Sequence, residues 1–335
     1  MTQVISKNDL LSWLDKLISQ HIVVAPANEG ELVLFKEVSN AGQIVLNDTL
    51  ITTLSPKDWL FPRTETLFAV ERKDGKTEVI PSAPNKQVVI FGLHPCDAKG
   101  FQLLDKPFLA EPEDTLYKQH RENTTLIGLG CTQACPECFC SSVGTGPHDN
   151  SNMDILLISA SNDTYIVQSV TDKGASLLSG AQVQESNSSS PSEPGIEQLP
   201  TEGLVEKVRE VFDSPYWSRV ADRCLHCNVC AYVCPTCYCF DIRDFANEDK
   251  IERIRTWESC QSPGFTKIAG GHNPRANKGS RLRQRWYHKF CYFPHQLGGE
   301  VACVGCGRCV RSCPVNIDIR EIIRDIQNLE APSDK

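Results

Sequence analysis

The apolar positions of this chain fall into two regimes with a patternless stretch between them. Residues 8 to 20 place Leu10, Leu11, Trp13, Leu14, Leu17 and Ile18 on one stripe at helical spacing, which predicts an amphipathic helix. Ile22 to Ala25, Glu31 to Val38, Leu67 to Val70 and the run VVIFGL at 88 to 93 are β-branched or aromatic and bounded by turn residues, so they predict strands. A helix is expected to open after HPCDAKG, carrying Phe101, Leu103 and Leu104, and TLIGLG at 125 to 130 predicts another buried strand. In DILLISASNDTYIVQSV, 154 to 170, two apolar runs flank SASND, which is a hairpin signal.

The pattern fails at SGAQVQESNSSSPSEPGIEQLP, 179 to 200, where Ser, Pro, Glu and Gln leave little to bury. Beyond it, Glu202 to Phe212 predicts a helix, and Ile317 to Leu329 predicts a closing amphipathic helix. The expected organisation is an α/β domain over 1–180, a linker over 181–200 and a cysteine-rich domain over 201–335. The expected fold class is α+β: a mixed α/β domain, then a mainly α domain with a long interval between its two cysteine-rich motifs.

Composition narrows the function classes. A 40% hydrophobic fraction is enough for a core, and the net charge of −8 argues against a global footprint for nucleic acid or an anionic membrane. No run approaches the roughly 18 apolar residues of a membrane span, and MTQVISKNDLLSWLDKL reads as neither a signal nor a transit peptide. The chain has 17 cysteines, and without a secretory signal clustered thiols point to metal ligation rather than disulfides. The expected compartment is the cytoplasm of an anaerobe.

Cys224, Cys227, Cys230 and Cys234 with Pro235 have the spacing C-x2-C-x2-C-x3-C-P, and Cys303, Cys306, Cys309 and Cys313 with Pro314 repeat it. This is the bacterial 4Fe-4S signature, in which three cysteines wrap one cube and the fourth reaches the neighbouring one. The predicted ligand sets are therefore crossed: Cys224, Cys227, Cys230 and Cys313 for the first cluster, Cys303, Cys306, Cys309 and Cys234 for the second. Zinc also takes C-x2-C pairs, but two complete copies with both prolines favour clusters. Gly305 and Gly307 suit a backbone wrapped closely around inorganic sulfur.

Nine cysteines are surplus. CPECFC at 135 to 140 echoes CPTCYC at 234 to 239, so a C-P-x-C-aromatic-C element occurs in both halves. Cys96 follows one predicted strand, Cys131 ends another, and Cys138 and Cys140 follow on a loop. These four thiols can converge on a third 4Fe-4S cluster, with zinc or free thiols as the alternatives. Cys237, Cys239 and Cys260 fall one ligand short and would need a further group such as His272 or His226.

The segments CPTCYCFDIRD, WESCQ, AGGHNPR, RLRQRWYHKF and CVGCGRCVRSCPVNI resemble the dicluster electron-transfer subunit found as the beta subunit of cytoplasmic sulfhydrogenases. The chain is similar also to the corresponding iron–sulfur subunit of anaerobic sulfite reductase and to equivalents in flavin oxidoreductase complexes serving heterodisulfide reductase. The resemblance extends upstream through SPKDWLFPRTETLF, FGLHPCDAKGFQLLD and the CFC element. It implies that Cys96, Cys131, Cys138, Cys140, Cys237, Cys239 and Cys260 stand at family-typical positions, whereas Cys135 and Cys291 depart from the pattern. It also implies an FAD- and NAD(P)-binding flavoprotein partner and a terminal hydrogenase, sulfite reductase or heterodisulfide reductase partner.

PRANKGSRLRQRWYHK, 274 to 289, is basic with interleaved aromatics. Between two cluster motifs of an acidic chain it reads as charge compensation for anionic clusters, or partner docking, rather than as a nucleic-acid patch. His94 and Asp97 flank Cys96 without the rest of an acyl-transfer site, so hydrogen bonding and helix capping are expected of them. Neither G-x-G-x-x-G nor G-x-x-x-x-G-K-[ST] occurs, so no flavin, nicotinamide or ATP is expected on this chain alone. The favoured function is single-electron relay between a flavin partner and a terminal reductase or hydrogenase. The alternative is a reductase acting directly on a sulfur substrate through cluster plus thiols.

Overall fold

The computed structural model describes residues 2–330 except 47, 50, 74, 85, 161, 162 and 248. Its strands are β1 (Thr2–Ser6), β2 (Ile22–Glu29), β3 (Leu32–Glu37), β4 (Thr64–Lys73), β5 (Lys76–Pro81), β6 (Val88–Leu93), β7 (Thr124–Leu129), β8 (Ile155–Ser159), β9 (Thr164–Ser169), β10 (Gln184–Ser186), β11 (Phe240–Ala246) and β12 (Lys250–Trp257). The helices are α1 (Lys7–Gln20), α2 (Pro95–Phe108), α3 (Thr115–Glu122), α4 (Asp172–Leu178), α5 (Leu204–Glu210), α6 (Tyr216–Asp222), α7 (Val229–Tyr232), α8 (Lys278–Tyr287), α9 (Phe293–Gln296), α10 (Arg308–Arg311) and α11 (Ile319–Asn328).

A sheet in the order β10-β1-β9-β8-β7-β6-β2-β3 carries the first half of the chain. Its centre, β2, β6, β7 and β8, is parallel. The central strands are buried on both faces, which is why VVIFGL and TTLIGL are nearly continuous apolar runs. Successive residues alternate faces: Val89 and Phe91 pack with Trp13 and Leu17 of α1, while Ile90 packs with Phe101, Phe108 and Tyr117 of α2 and α3. Strands β8 and β9 form the expected hairpin ladder; Ser161 and Asn162 of its SASND turn lie outside the described residues.

Helix α2 begins at Pro95 rather than after HPCDAKG. Proline suits the first helical turn, where its missing N–H has no partner to lose. Gly100 is inside the helix because a Cβ there would stand 2.9 Å from Pro235 Cβ. The expected linker also contains β10, paired antiparallel with β1.

A second, antiparallel sheet runs β11-β12-β4-β5. Its first two strands come from the interval between the cluster motifs and its last two from the first half of the chain, so the two halves share one sheet. The expectation of a mainly α second half misses this hairpin, whose strands alternate charged with apolar residues and bury little. At its base Arg255 is 2% exposed, paired with Glu65 and Asp114 and stacked over Phe61.

Candidate functional site

Both four-cysteine motifs fold alike. The third cysteine of each, Cys230 and Cys309, lies in a one-turn helix, α7 or α10, preceded by a left-handed residue: Asn228 at φ 64° and Gly307 at φ 72°. Two residues earlier, His226 (φ 53°) and Gly305 (φ 63°) are left-handed as well. The same turn is thus built twice, once from side chains that tolerate this backbone at a cost and once from glycine.

The first motif opens on a cavity lined by Cys224, Cys227, Cys230 and Cys313, with Cys309, Gln261 and Arg285 in its wall. The Cys224 and Cys313 sulfurs accept from the backbone N–H groups of His226 (3.4 Å) and Ile317 (3.2 Å), and Gln261 Nε2 donates to Cys230 Sγ at 3.1 Å. Cys227 is exposed and Leu225, at the mouth, is 64% exposed. A second cavity is lined by Cys234, Cys303, Cys306 and Cys309, with Arg285 and Lys289. Each fourth cysteine therefore crosses to the other motif's cavity, and Cys309 and Arg285 stand in the wall common to both.

The basic segment supplies buried cations rather than a surface patch. It forms α8 and continues through a π turn, His288–Tyr292, into α9. Lys289, 2% exposed, donates to Cys234 Sγ (3.2 Å), Thr236 Oγ1 (2.8 Å) and the Ala302 carbonyl (2.8 Å). Arg285, 4% exposed, donates to the Cys230 carbonyl at 2.8 Å and leaves Nε unpaired. Among the described residues neither cation meets a carboxylate in an ion pair. Buried charge without a counter-ion is costly, so this wall calls for an anion. A 4Fe-4S cube with four thiolates is one, and the donor set fits it. Burial would lower the Lys289 pKa, yet the Cys234 and Cys237 sulfurs outweigh it and hold the ammonium charged. Burial pushes the Cys303 thiol up to about 11.

A third cavity gathers Cys96, Cys131, Cys135, Cys138 and Cys140, with Cys306 in its wall. Cys96 and Cys131 follow the carboxyl ends of the adjacent parallel strands β6 and β7, the crevice where open α/β sheets bind their ligands. The other three lie on the CPECFC loop. Cys135, expected to depart from the pattern of the resemblance, is a fifth thiol here, donating to the Thr49 carbonyl at 3.4 Å. Cys291, by contrast, packs with Phe212, Tyr287 and Tyr292 in the core around α5 and α8. His94 sits at the N-cap of α2 by position but makes no side-chain cap; its Nδ1 faces the Leu129 carbonyl (3.1 Å) and Cys131 Sγ (3.4 Å). Asp97, expected to cap, instead forms a two-pronged ion pair with Arg308, at 2.7 and 3.0 Å, with both side chains 1% exposed. No sequence signal marked this pair, because its members are 211 residues apart.

The second and third cavities are fastened together. Phe139 N–H donates to the Gly305 carbonyl at 2.8 Å. A Cβ on Gly305 would meet the Phe139 and Cys140 backbone at 2.5 Å, and one on Gly307 would meet Glu137 at 2.6 Å. The glycines of the second motif thus let the CFC loop lie against it. Cys306 borders both cavities, so three thiol-lined sites stand in a row.

Cys237, Cys239 and Cys260 form a further group beside the second cavity. Cys237 lies against Cys234, and Cys239 against Cys260. Lys57 is 2% exposed, lies over the Trp257 ring at 3.8 Å and donates to the Cys237 carbonyl at 2.7 Å. Burial lowers its pKa to about 8. His272 is exposed, and His226 Nδ1 faces the Gln261 carbonyl at 3.4 Å. Among the described residues no three His, Cys, Asp or Glu gather tightly enough for a single metal ion; a cube keeps its four thiolates farther apart, because iron and sulfide stand between them.

Residues 223–317 match the 4Fe-4S dicluster domain. Over 320 residues, 91% of this chain and 92% of the relative, the sequence is 31% identical to sulfhydrogenase 2 subunit beta of Pyrococcus furiosus. The chain belongs to the sulfhydrogenase beta-subunit family. The match runs through both halves, so the CFC loop and the shared sheet fall within the range of this family likeness as well as the cluster motifs. No solved structure matches the chain. Among the described residues no helix is long and apolar enough to cross a membrane.

Proposed function

We propose that this chain is the electron-transfer subunit of a sulfhydrogenase-type complex, placed between an FAD- and NAD(P)-binding partner and a hydrogenase or sulfur-reducing partner. The observation that carries the reading is the row of three thiol-lined cavities with shared walls. In this reading Cys224, Cys227, Cys230 and Cys313 hold one 4Fe-4S cluster and Cys303, Cys306, Cys309 and Cys234 a second. Cys96, Cys131, Cys138 and Cys140 hold a third, with Cys135 as a spare thiol in the same cavity. Such clusters supply one-electron redox chemistry with little ligand movement.

The chain's own residues do the rest. Lys289 and Arg285 compensate buried negative charge and raise the potential of whatever they face. Gln261 and the backbone N–H groups of His226 and Ile317 hydrogen-bond ligand sulfurs, the other lever on potential. The exposed Cys227 and Leu225 put the first site at a surface where a partner can dock. The rigid contacts between Gly305 and the CFC loop keep the second and third sites adjacent.

Changing Cys138 and Cys140 together to Ser tests the third site. The expected result is loss of about four irons per chain and of one EPR signal, with the ferredoxin-like pair intact. Unchanged iron would remove the third cluster and leave a two-cluster chain.

A further inference from the structure

Four thiols crowd the base of the β11–β12 hairpin, and the crossed ligand sets use only Cys234. We propose that Cys239 and Cys260 are a redox-active dithiol, a two-electron centre set beside the one-electron sites. The inference rests on the reading above for its electron acceptor only.

The geometry separates this pair from a metal site. Cys239 leads into β11 and Cys260 follows β12; the Glu258 N–H donates to the Cys239 carbonyl at 2.9 Å, extending the ladder in which Phe240 opposes Trp257. The hairpin brings the two chain ends together, and the Cys239 and Cys260 thiols lie against each other. Two sulfurs already in contact need little backbone movement to bond. With Cys237 there are three free thiols outside the crossed ligand sets, one short of a cube's four.

The surroundings suit thiol chemistry. The ammonium groups of Lys57 and Lys289 stand near the Cys239 sulfur, an electropositive setting of the kind in which reactive thiols are found. Cys260 is 8% exposed while Cys239 is partly open, so the two thiols differ in access. That division suits one attacking and one resolving cysteine.

The reaction balances simply. On oxidation the two S–H bonds break, one Sγ–Sγ bond forms, two protons leave, and two electrons pass singly to an acceptor of the iron–sulfur class. On reduction the same acceptor acts as donor and both thiols return. Cys237, in contact with Cys234 and beside Cys260, lies between the pair and the second cavity.

The test uses the full chain with its clusters, prepared anaerobically and poised with mediators at a series of potentials. Free thiols are trapped by alkylation in an acid quench followed by peptide mapping, and iron is measured on the same samples. The expected result is a Cys239–Cys260 linked peptide that appears on oxidation, disappears on reduction, and does so with iron content constant. Cys239→Ser and Cys260→Ser should abolish the link and keep the iron of wild type. Failure to find the link while iron is intact overturns the proposal. Iron loss in either variant also overturns it, since the thiols would then be ligands. A reversible link in a chain that binds no iron would keep the dithiol and sink the electron-transfer reading instead.

Discussion

Gly305→Ala is expected to lower stability by about 3 kcal/mol or more and to deplete iron at the second and third sites together. Two costs add. At φ 63° an alanine sits in the left-handed region, which costs roughly 1–2 kcal/mol. Its Cβ would also meet the Phe139 and Cys140 backbone at 2.5 Å, and backbone cannot rotate away as a side chain tip can. Overpacking of this kind costs about 1–3 kcal/mol. Because Gly305 is in one motif and the obstructing loop carries Cys138 and Cys140, the strain falls on both cavities. Denaturant unfolding gives the stability, and iron with EPR gives the sites. A variant that keeps both signals and wild-type stability would mean that the CFC loop does not lie against the second motif.

Asp97→Ala should cost about 3–5 kcal/mol, the usual penalty for leaving one member of a buried ion pair without its partner. Arg308 is 1% exposed; its remaining bonds, to the Thr52 carbonyl at 2.8 Å and hydroxyl at 3.1 Å, cannot replace a carboxylate. The pair joins the start of α2, next to Cys96, to α10, next to Cys309, so it ties the third site to the second. The double variant Asp97→Ala, Arg308→Met removes the orphaned charge and should recover much of the loss. Equal losses in the single and double variants would locate the cost in packing rather than in charge. Thermal or denaturant unfolding of the three proteins decides between these.

Much of the site was legible because cysteine spacing is short-range information. Each motif fixes its own turn within a few residues, and the crossed fourth cysteine follows from the proline-capped spacing. The central strands were legible too, since β6 and β7 are buried on both faces and must be apolar throughout. What could not be read are features made by distant segments meeting. FDIRDFANEDKIERIRTW forms β11 and β12, yet its alternating charges look like a solvated stretch unless β4 and β5 are known to lie beside it. The Ser-rich stretch conceals β10 because a three-residue edge strand needs only backbone pairing to β1. Likewise the basic run at 274–289 showed its charge but not its depth. That Lys289 and Arg285 point inward depends on α8 packing against the cysteine turns. Cys135 looked dispensable by pattern, and only the fold of its loop brings it to the third cavity.

The central claim is that three thiol-lined sites in this one chain each hold a cluster. Iron, acid-labile sulfide and zinc measured per polypeptide on anaerobically purified protein test it most directly. Three cubes predict about twelve iron and about twelve sulfide with no stoichiometric zinc. About eight of each would contradict the third cluster, and zinc in place of iron would contradict the account as a whole.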